Sequence, residues 1–391
     1  MEETNKEVEQ ELDEIIEESL NNVQIDLNVD KPYLVFDRAD LIRVMNLVSK
    51  IVLTKSEVPE YNSLVFVPDV NGKTLTINST NDLSQFATTI ELTGESNEMI
   101  NEPFAIPFVF LKTICTFLGS KVLIFKDGVN FYIRLANGDL LVGARKVNLD
   151  KVNFIGTIKD KIGEIKVGDL NKVLSYFLPI MSTDTVTEGR RLTISDGRVY
   201  YNSNFIFVES ELNIPDLTLS LHDIEFLCSL GKYYDNATLV LSNVESSVPR
   251  FFITVDKIKY EFISTKIDKN DSFLQNTRAL FKPSDIVVSR KELSSLVGLA
   301  IGLPNTTGYL NLSYSDKLYI GIETHSGNSL MNVPAVGTPT GEFTTPIDLY
   351  SSILSNVLGA FSGSDNIGLS LTEANLSLEF DNTKAMMMIG R

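Results

Sequence analysis

The chain of 391 residues is 43% apolar and 22% charged, which excludes wholesale disorder and a membrane-buried polypeptide and allows roughly two to four domains of 100–200 residues. Lys and Arg number 34 against 51 Asp and Glu, a net charge of −17 that, taken whole, argues against a nucleic-acid partner. Nine of the acids and a single Lys fall within residues 1–22, so about half of the imbalance belongs to an acidic N-terminal extension, residues 1–29.

From residue 30 the predicted elements recur three times in chain order. An extended apolar stretch running into an amphipathic helix is expected at 33–52, 164–181 and 285–303, with Leu41, Leu170 and Leu293 in the same place of each. Asp37 with Asp40, and Ser289 with Glu292, stand at the spacing of helix N-caps. A tightly turned β pair follows at 63–80, 191–204 and 309–324, punctuated by Asn71-Gly72, Asp196-Gly197 and Ser315-Asp316. Second helices are expected at 106–119, 219–231 and 344–359, with Pro107 and Pro346 in the first turn, Ser220 and Thr345 as caps, and Gly119, Gly231 and Gly359 at the ends. Each unit closes with further strands, at 121–147, 238–267 and 366–390, while 148–163 and 268–284 read as linkers. The expected class is therefore α+β, with three domains at 30–155, 156–280 and 281–391, each setting two helices on antiparallel sheets.

Chemistry-bearing residues are sparse. Cys115 and Cys228 lie far apart inside apolar segments, which suits small core residues in a reducing compartment better than a disulfide or metal site. His222 and His325 have no Cys or acid pair at ligand spacing, and no phosphate loop, GxGxxG, HExxH or GxSxG occurs. No signal peptide or apolar span is evident, so a cytoplasmic, non-enzymatic protein without cofactor or metal is expected.

The order of elements and several local sequences resemble the bacterial DNA polymerase III β subunit, the ring-shaped DNA sliding clamp, over residues 30–391. FDRADLIRVMNLVSKIV is similar to that family's opening strand and helix, TLTINSTNDLSQ to its "LTLTATDLE" segment, IPFVFLKTICTFLG to its second helix, and KAMMMIGR to its closing "YVVMPMRL". Three features depart from the pattern. The extension has no counterpart, the terminal segment lacks the family's Pro and penultimate Arg, and Ser203-Asn204-Phe205-Ile206 replaces "TDGHRL". These departures point to a divergent member, either cellular or phage-encoded, which would act in the cytoplasm, the host's if it is viral.

The resemblance implies a homodimeric ring, joined head to tail, whose helices line a hole around double-stranded DNA without reading its sequence. It also implies that the ring tethers a DNA polymerase and is placed on DNA by a clamp loader. Inward helix faces should then carry cations. Opposite the apolar stripe Leu41, Val44, Met45, Val48 and Val52, the first helix presents Arg43 and Lys50, with Lys55 in the next loop. Lys172, Arg190 and Arg191 follow in the second copy, Arg290 and Lys291 in the third, and Lys112 on a second helix. Carried over by position, a groove for partner peptides would use Leu192, Ile206, Leu280, Met386, Met387, Met388 and Ile389. In the last strand, period two would bury one of the sets Met386/Met388 and Met387/Ile389 and expose the other. Val8, Leu12, Ile15, Ile16 and Leu20 recur at helical spacing in the extension, which suits either a gate over the cationic hole or, given its charge density, a solubilising tail. The alternative to a clamp is a non-enzymatic β-rich structural or assembly protein with triplicated domains.

Overall fold

The computed structural model describes residues 30–388 apart from 70, 72, 82, 94–99, 136, 148, 153–156, 185–189, 204, 268–271, 304–305, 315–316, 325–326, 338–346, 362, 364 and 373–374. The expected elements of the extension, Ile389, Asn204, Thr345 and Pro346 lie outside the described residues.

The threefold pattern is real. The first copy runs β1 (Tyr33–Asp37), α1 (Arg38–Val48), β2 (Ser63–Asp69), β3 (Thr74–Thr80), β4 (Ser84–Glu91), β5 (Phe104–Pro107), α2 (Phe108–Ile114), β6 (Lys121–Asp127), β7 (Asn130–Leu135) and β8 (Gly138–Val142), followed by a short β9 (Arg145–Lys146). The second runs β10 (Thr157–Lys166), α3 (Val167–Thr183), β11 (Arg191–Ser195), β12 (Arg198–Asn202), β13 (Ile206–Glu211), β14 (Leu217–Ser220), α4 (Leu221–Tyr234), β15 (Thr238–Glu245), β16 (Arg250–Val255) and β17 (Ile258–Ile263). After α5 (Ser272–Leu280), the third runs β18 (Ile286–Ser289), α6 (Arg290–Gly302), β19 (Thr306–Tyr314), β20 (Leu318–Thr324), β21 (Gly327–Val333), β22 (Ala335–Gly337), β23 (Ile347–Tyr350), α7 (Ser351–Ala360), β24 (Asn366–Leu371), β25 (Asn375–Phe380) and β26 (Thr383–Met388).

Two compact units result, one of residues 1–162 with 232–263 and one of 163–231 with 264–391. In the first, a four-stranded sheet orders β1-β6-β7-β8, and a nine-stranded sheet orders β10-β15-β16-β17-β4-β3-β2-β5-β9. The second mirrors it with β14-β11-β12-β13-β26-β25-β24-β18-β22 and β21-β20-β19-β23. All described pairings among these strands are antiparallel, as hairpin-rich connections allow.

Each long sheet contains a seam where two copies meet. In the first unit β17 pairs β4, setting Tyr260 against Phe86; in the second β26 pairs β13, setting Ala385 against Val208. Arg250 Nη1 donates to Glu261 Oε1 at 3.1 Å beside the first seam, with both side chains buried. Such a pair fixes register more than it adds stability, because taking both charges out of water offsets most of their attraction.

Local chemistry explains most element boundaries and corrects several expectations. Ser289 Oγ accepts from Glu292 N at 3.3 Å, the expected cap of α6. Ser220 N and Oγ both donate to Asp223 at the start of α4. Asp37 makes no side-chain cap and instead holds Lys121 at 2.5 Å. The Asp196-Gly197 turn has φ of 53° and 74°, the double left-handed conformation of a type I′ hairpin. Pro107 ends β5 instead of sitting inside a helix, and the second helix of the third copy starts at Ser351, after a strand, instead of near 344. Gly231 does not end its helix. It lies inside α4, where an added Cβ would come within 2.3 Å of Asn171 Nδ2, so the bare backbone permits close approach of α3. Part of each expected linker is ordered, as β10 and as α5.

Candidate nucleic-acid interface and partner pocket

α1 buries Leu41, Val44, Met45 and Val48, as its spacing predicts, and Leu47 with them. Lys50 is exposed just beyond the helix and Lys55 is exposed in the next turn. Arg43 is half-buried and ion-paired to Asp40 at 2.6 Å, while Asn46 Nδ2 donates to Tyr233 Oη at 2.7 Å. Lys112 is exposed in the last turn of α2, where a cation also suits the helix dipole. These four cations belong to the first unit.

In the second unit Lys172 is exposed on α3, opposite buried Leu170, Leu174 and Phe177. Arg190 is half-buried and donates to the Met181 carbonyl, so it satisfies an acceptor in the last turn of α3. Arg191 is half-buried at the start of β11. Arg290 is half-buried, with Nη1 3.4 Å from the Leu358 carbonyl, and Lys291 next to it is exposed. The nine cations thus divide by chemistry. The five lysines lie exposed, whereas the four arginines are partly drawn into their own units. No contact to a base-reading group is built from them, and among the described residues no group of three His, Cys, Asp or Glu is placed to hold a metal ion.

A cavity of about 200 Å³ opens in the second unit between the end of α3, the start of β13 and α7. Ile180, Phe205, Ile206, Tyr350 and Ile353 form its apolar wall, and Thr183, Asp184 and Asn356 add polar groups. Phe205 meets Tyr350 edge to face at 5.5 Å between ring centroids, and Tyr350 packs on Tyr309 at 4.8 Å. Asp184 Oδ2 accepts from Tyr201 Oη at 2.6 Å. Among the described residues, Ile206 alone of the expected groove set lines this cavity. Leu192, Met386 and Met387 are buried in the long sheet, Leu280 is exposed on α5, and Met388 is the last described residue.

The expected alternation in the last strand does not hold, because Met386 and Met387 are both buried. β26 is an inner strand whose two faces are both covered. Met386 packs with Leu274 of α5, Tyr200 and Phe207, while Met387 lies across from Ile206. Sequence reasoning missed α5, and with it Arg278, which binds Glu209 and lies 5.2 Å from the Tyr200 ring centroid. A signal existed in the helical spacing of Leu274, Arg278 and Phe281, but a linker composition masked it. Phe205 stands in the stretch that replaces the family's "TDGHRL", whereas Tyr350 and Ile353 carry no sequence signal, since only the fold brings them to the cavity.

No protein-family model and no curated protein sequence matches this chain. Solved structures do. A sliding clamp (DNA polymerase III subunit beta) from Pseudomonas aeruginosa bound to griselimycin is 16% identical, with TM-score 0.76 over 92% of this chain and 100% of that one. The corresponding protein from Bartonella birtlesii is 13% identical, with TM-score 0.75 over 92% and 99%. The DNA polymerase III beta subunit from Thermotoga maritima is 13% identical, with TM-score 0.72 over 92% and 99%. The chain has the fold of the DNA polymerase III β sliding clamps.

Proposed function

We propose that this protein is a DNA sliding clamp, a non-catalytic ring of two chains that encircles double-stranded DNA and tethers a DNA polymerase. The observation that carries the proposal is the pair of strands left at sheet ends. β17 and β26 fill the two seams from one side and β4 and β13 from the other, and the same positions in the repeat belong to β8 and β21. These are end strands of the two four-stranded sheets. Joining β8 of one copy to β21 of another would build a third seam of the same kind. Two chains joined head to tail close two such seams, giving six copies of the repeat in a ring.

Exposed apolar groups collect where that seam would form. By the register of the other seams, Leu140 faces Ser329, and Leu141 lies diagonally across from Leu330 on one face. Leu141 and Leu330 are 55% and 68% exposed. On the helix side, Tyr176 of α3 stacks on Phe361 beyond α7. Its counterpart in α6 is Leu299, 54% exposed, and Phe117 at the end of the second helix of the first copy is 61% exposed. Single exposed apolar residues are ordinary, but four at the counterparts of seam positions support reading this edge as an interface.

The exposed lysines supply a sequence-independent hold on phosphate, with affinities on the order of 10⁻⁴–10⁻⁶ M. Retention comes from enclosure instead of affinity, and local charge governs the hole because fields from a distant acidic surface are screened within about 8–10 Å. The cavity beside Ile206 and Tyr350 is the proposed dock for a partner's apolar peptide, through which the ring raises the effective concentration of polymerase at the template. An ATP-driven loader and a cytoplasmic location accompany this proposal. Electron-microscope images of particles at micromolar concentration test it: rings of two chains are expected, and solid or filamentous particles would favour a structural assembly protein.

A further inference from the structure

On the face of the first four-stranded sheet opposite α1, one apolar row crosses every strand. Tyr33 pairs Phe125, Phe125 pairs Tyr132, and Tyr132 pairs Leu141. The Phe125 and Tyr132 rings stack at 5.1 Å, and with Val35 and Leu123 they form a cluster that, among the described residues, draws no member from outside this sheet. Tyr33 and Tyr132 remain half-buried and Leu141 exposed.

The equivalent rows in the other copies are much less apolar. In the second copy the row reads Ser242, Phe252, Glu261, and in the third Ser370, Ser377, Met386. The third row shows what covers such a face. The segment leading into β18 crosses it: Leu274 of α5 packs on Met386, Lys282 N lies 3.4 Å from Ser377 Oγ, and Ser284 Oγ donates to Glu379 at 2.8 Å. The segment leading into β1 is the N-terminal extension. The first described residues after it lie at the side of the aromatic row, where Lys31 Nζ donates to Asp127 Oδ1 at 2.9 Å.

We propose that residues 8–27 of the extension cover the row Tyr33, Phe125, Tyr132 and Leu141 of their own chain. The occupant is argued from three facts. The segment is joined to the first strand of this sheet, so docking is intramolecular and needs little affinity. It carries apolar residues at helical spacing, Val8, Leu12, Ile15, Ile16 and Leu20, with Val23, Ile25 and Leu27 after them. And the one other segment that precedes a first strand with a comparable amphipathic stretch, α5, lies on the matching face. So short a helix is marginal alone and is stabilised by a surface to cover. Docking there holds the nine acids of residues 1–22 on the face opposite α1, and so away from Arg43 and Lys50.

The chain contains no Trp, so Ile16→Trp in the full-length protein reports the segment alone. Its emission should be blue-shifted relative to a free indole and several-fold less quenched by acrylamide. Tyr33→Ser with Tyr132→Ser should restore solvent-like emission and quenching. Leu12→Asp with Ile15→Asp should do the same, and since these lie in the extension they leave the folded units intact. Solvent-like emission in the parent protein overturns the proposal. So does a blue shift that survives both double variants, or one removed by added DNA but not by the tyrosine changes, which would place the segment over the cations instead. The readout does not depend on ring closure, since sedimentation of the same samples reports oligomeric state separately.

Discussion

Replacing Leu330 and Leu299 with Ser should dissolve the proposed dimer without touching the fold. Full burial of a leucine side chain contributes about 1.5–3 kcal/mol. With 68% and 54% of these side chains exposed in the single chain, closing a seam over them would add about 1–2 and 0.8–1.6 kcal/mol. A closed ring has two identical seams, so the double variant loses about 4–7 kcal/mol, or roughly three to five powers of ten in the dimer dissociation constant. Because both positions are exposed, each chain should keep its thermal midpoint to within about 0.5 kcal/mol of stability. Sedimentation velocity across a concentration series measures the constant, and circular dichroism checks the fold. A wild-type chain that stays monomeric at tens of micromolar, or a double variant that dimerises within threefold of wild type, would refute the seam argument.

Lys50→Glu with Lys172→Glu should weaken DNA retention and reduce the slope of log affinity against log salt by about 0.9 for each phosphate no longer neutralised, measured by titration at several salt concentrations. Ile353→Asp should place a charge in the cavity wall and abolish capture of an apolar partner peptide while leaving ring formation unchanged, read by pull-down and sedimentation in parallel. Deleting residues 386–391 should instead unfold the second unit, because β26 is an inner strand with Met386 and Met387 buried. Stability should fall on the alkaline side. Burial pushes the Cys115 thiol and the Tyr234 phenol above their ordinary 9.0 and 10.0, the latter against the pull of Arg43, and hydrogen bonding to Glu91 raises Lys257 above 10.5. In each case the folded state holds its proton more tightly, so the contribution is complete below the ordinary value and is lost as pH rises through the folded one. A thermal midpoint flat to about pH 8.5 and declining above pH 9 is the expected scan.

The repeat was legible because apolar spacing is set by burial, and the core-facing positions of the first helix recur in all three copies. Leu41, Leu170 and Leu293 are all buried where the pattern put them. Of the seam strands, β17 and β26 fall within the expected closing strands, whereas β4, β13 and β21 were not legible. β4 is buried on both faces and so lacks alternation, and β21, with Gly327, Asn328 and Ser329, has little strand character of its own. Both are strands because a partner in their own copy pairs them along their length, β3 with β4 and β20 with β21. The lysines could be read from helix periodicity, since an exposed face needs no tertiary knowledge. Arg190 could not, because its role as a cap for the Met181 carbonyl depends on how the chain returns from α3. The cavity was legible only at Ile206, since its other walls come from α3 and α7, far apart in sequence.

The central claim is that enclosure, and not affinity, holds this protein on DNA. The direct measurement is retention on a nicked circular plasmid after gel filtration at a salt concentration that suppresses binding to phosphate, followed by linearisation of the same sample with a restriction enzyme. A clamp should co-elute with the circle and be released within the time of cutting. Equal retention on circular and linear DNA, or none on either when a loader and ATP are supplied, would contradict the account.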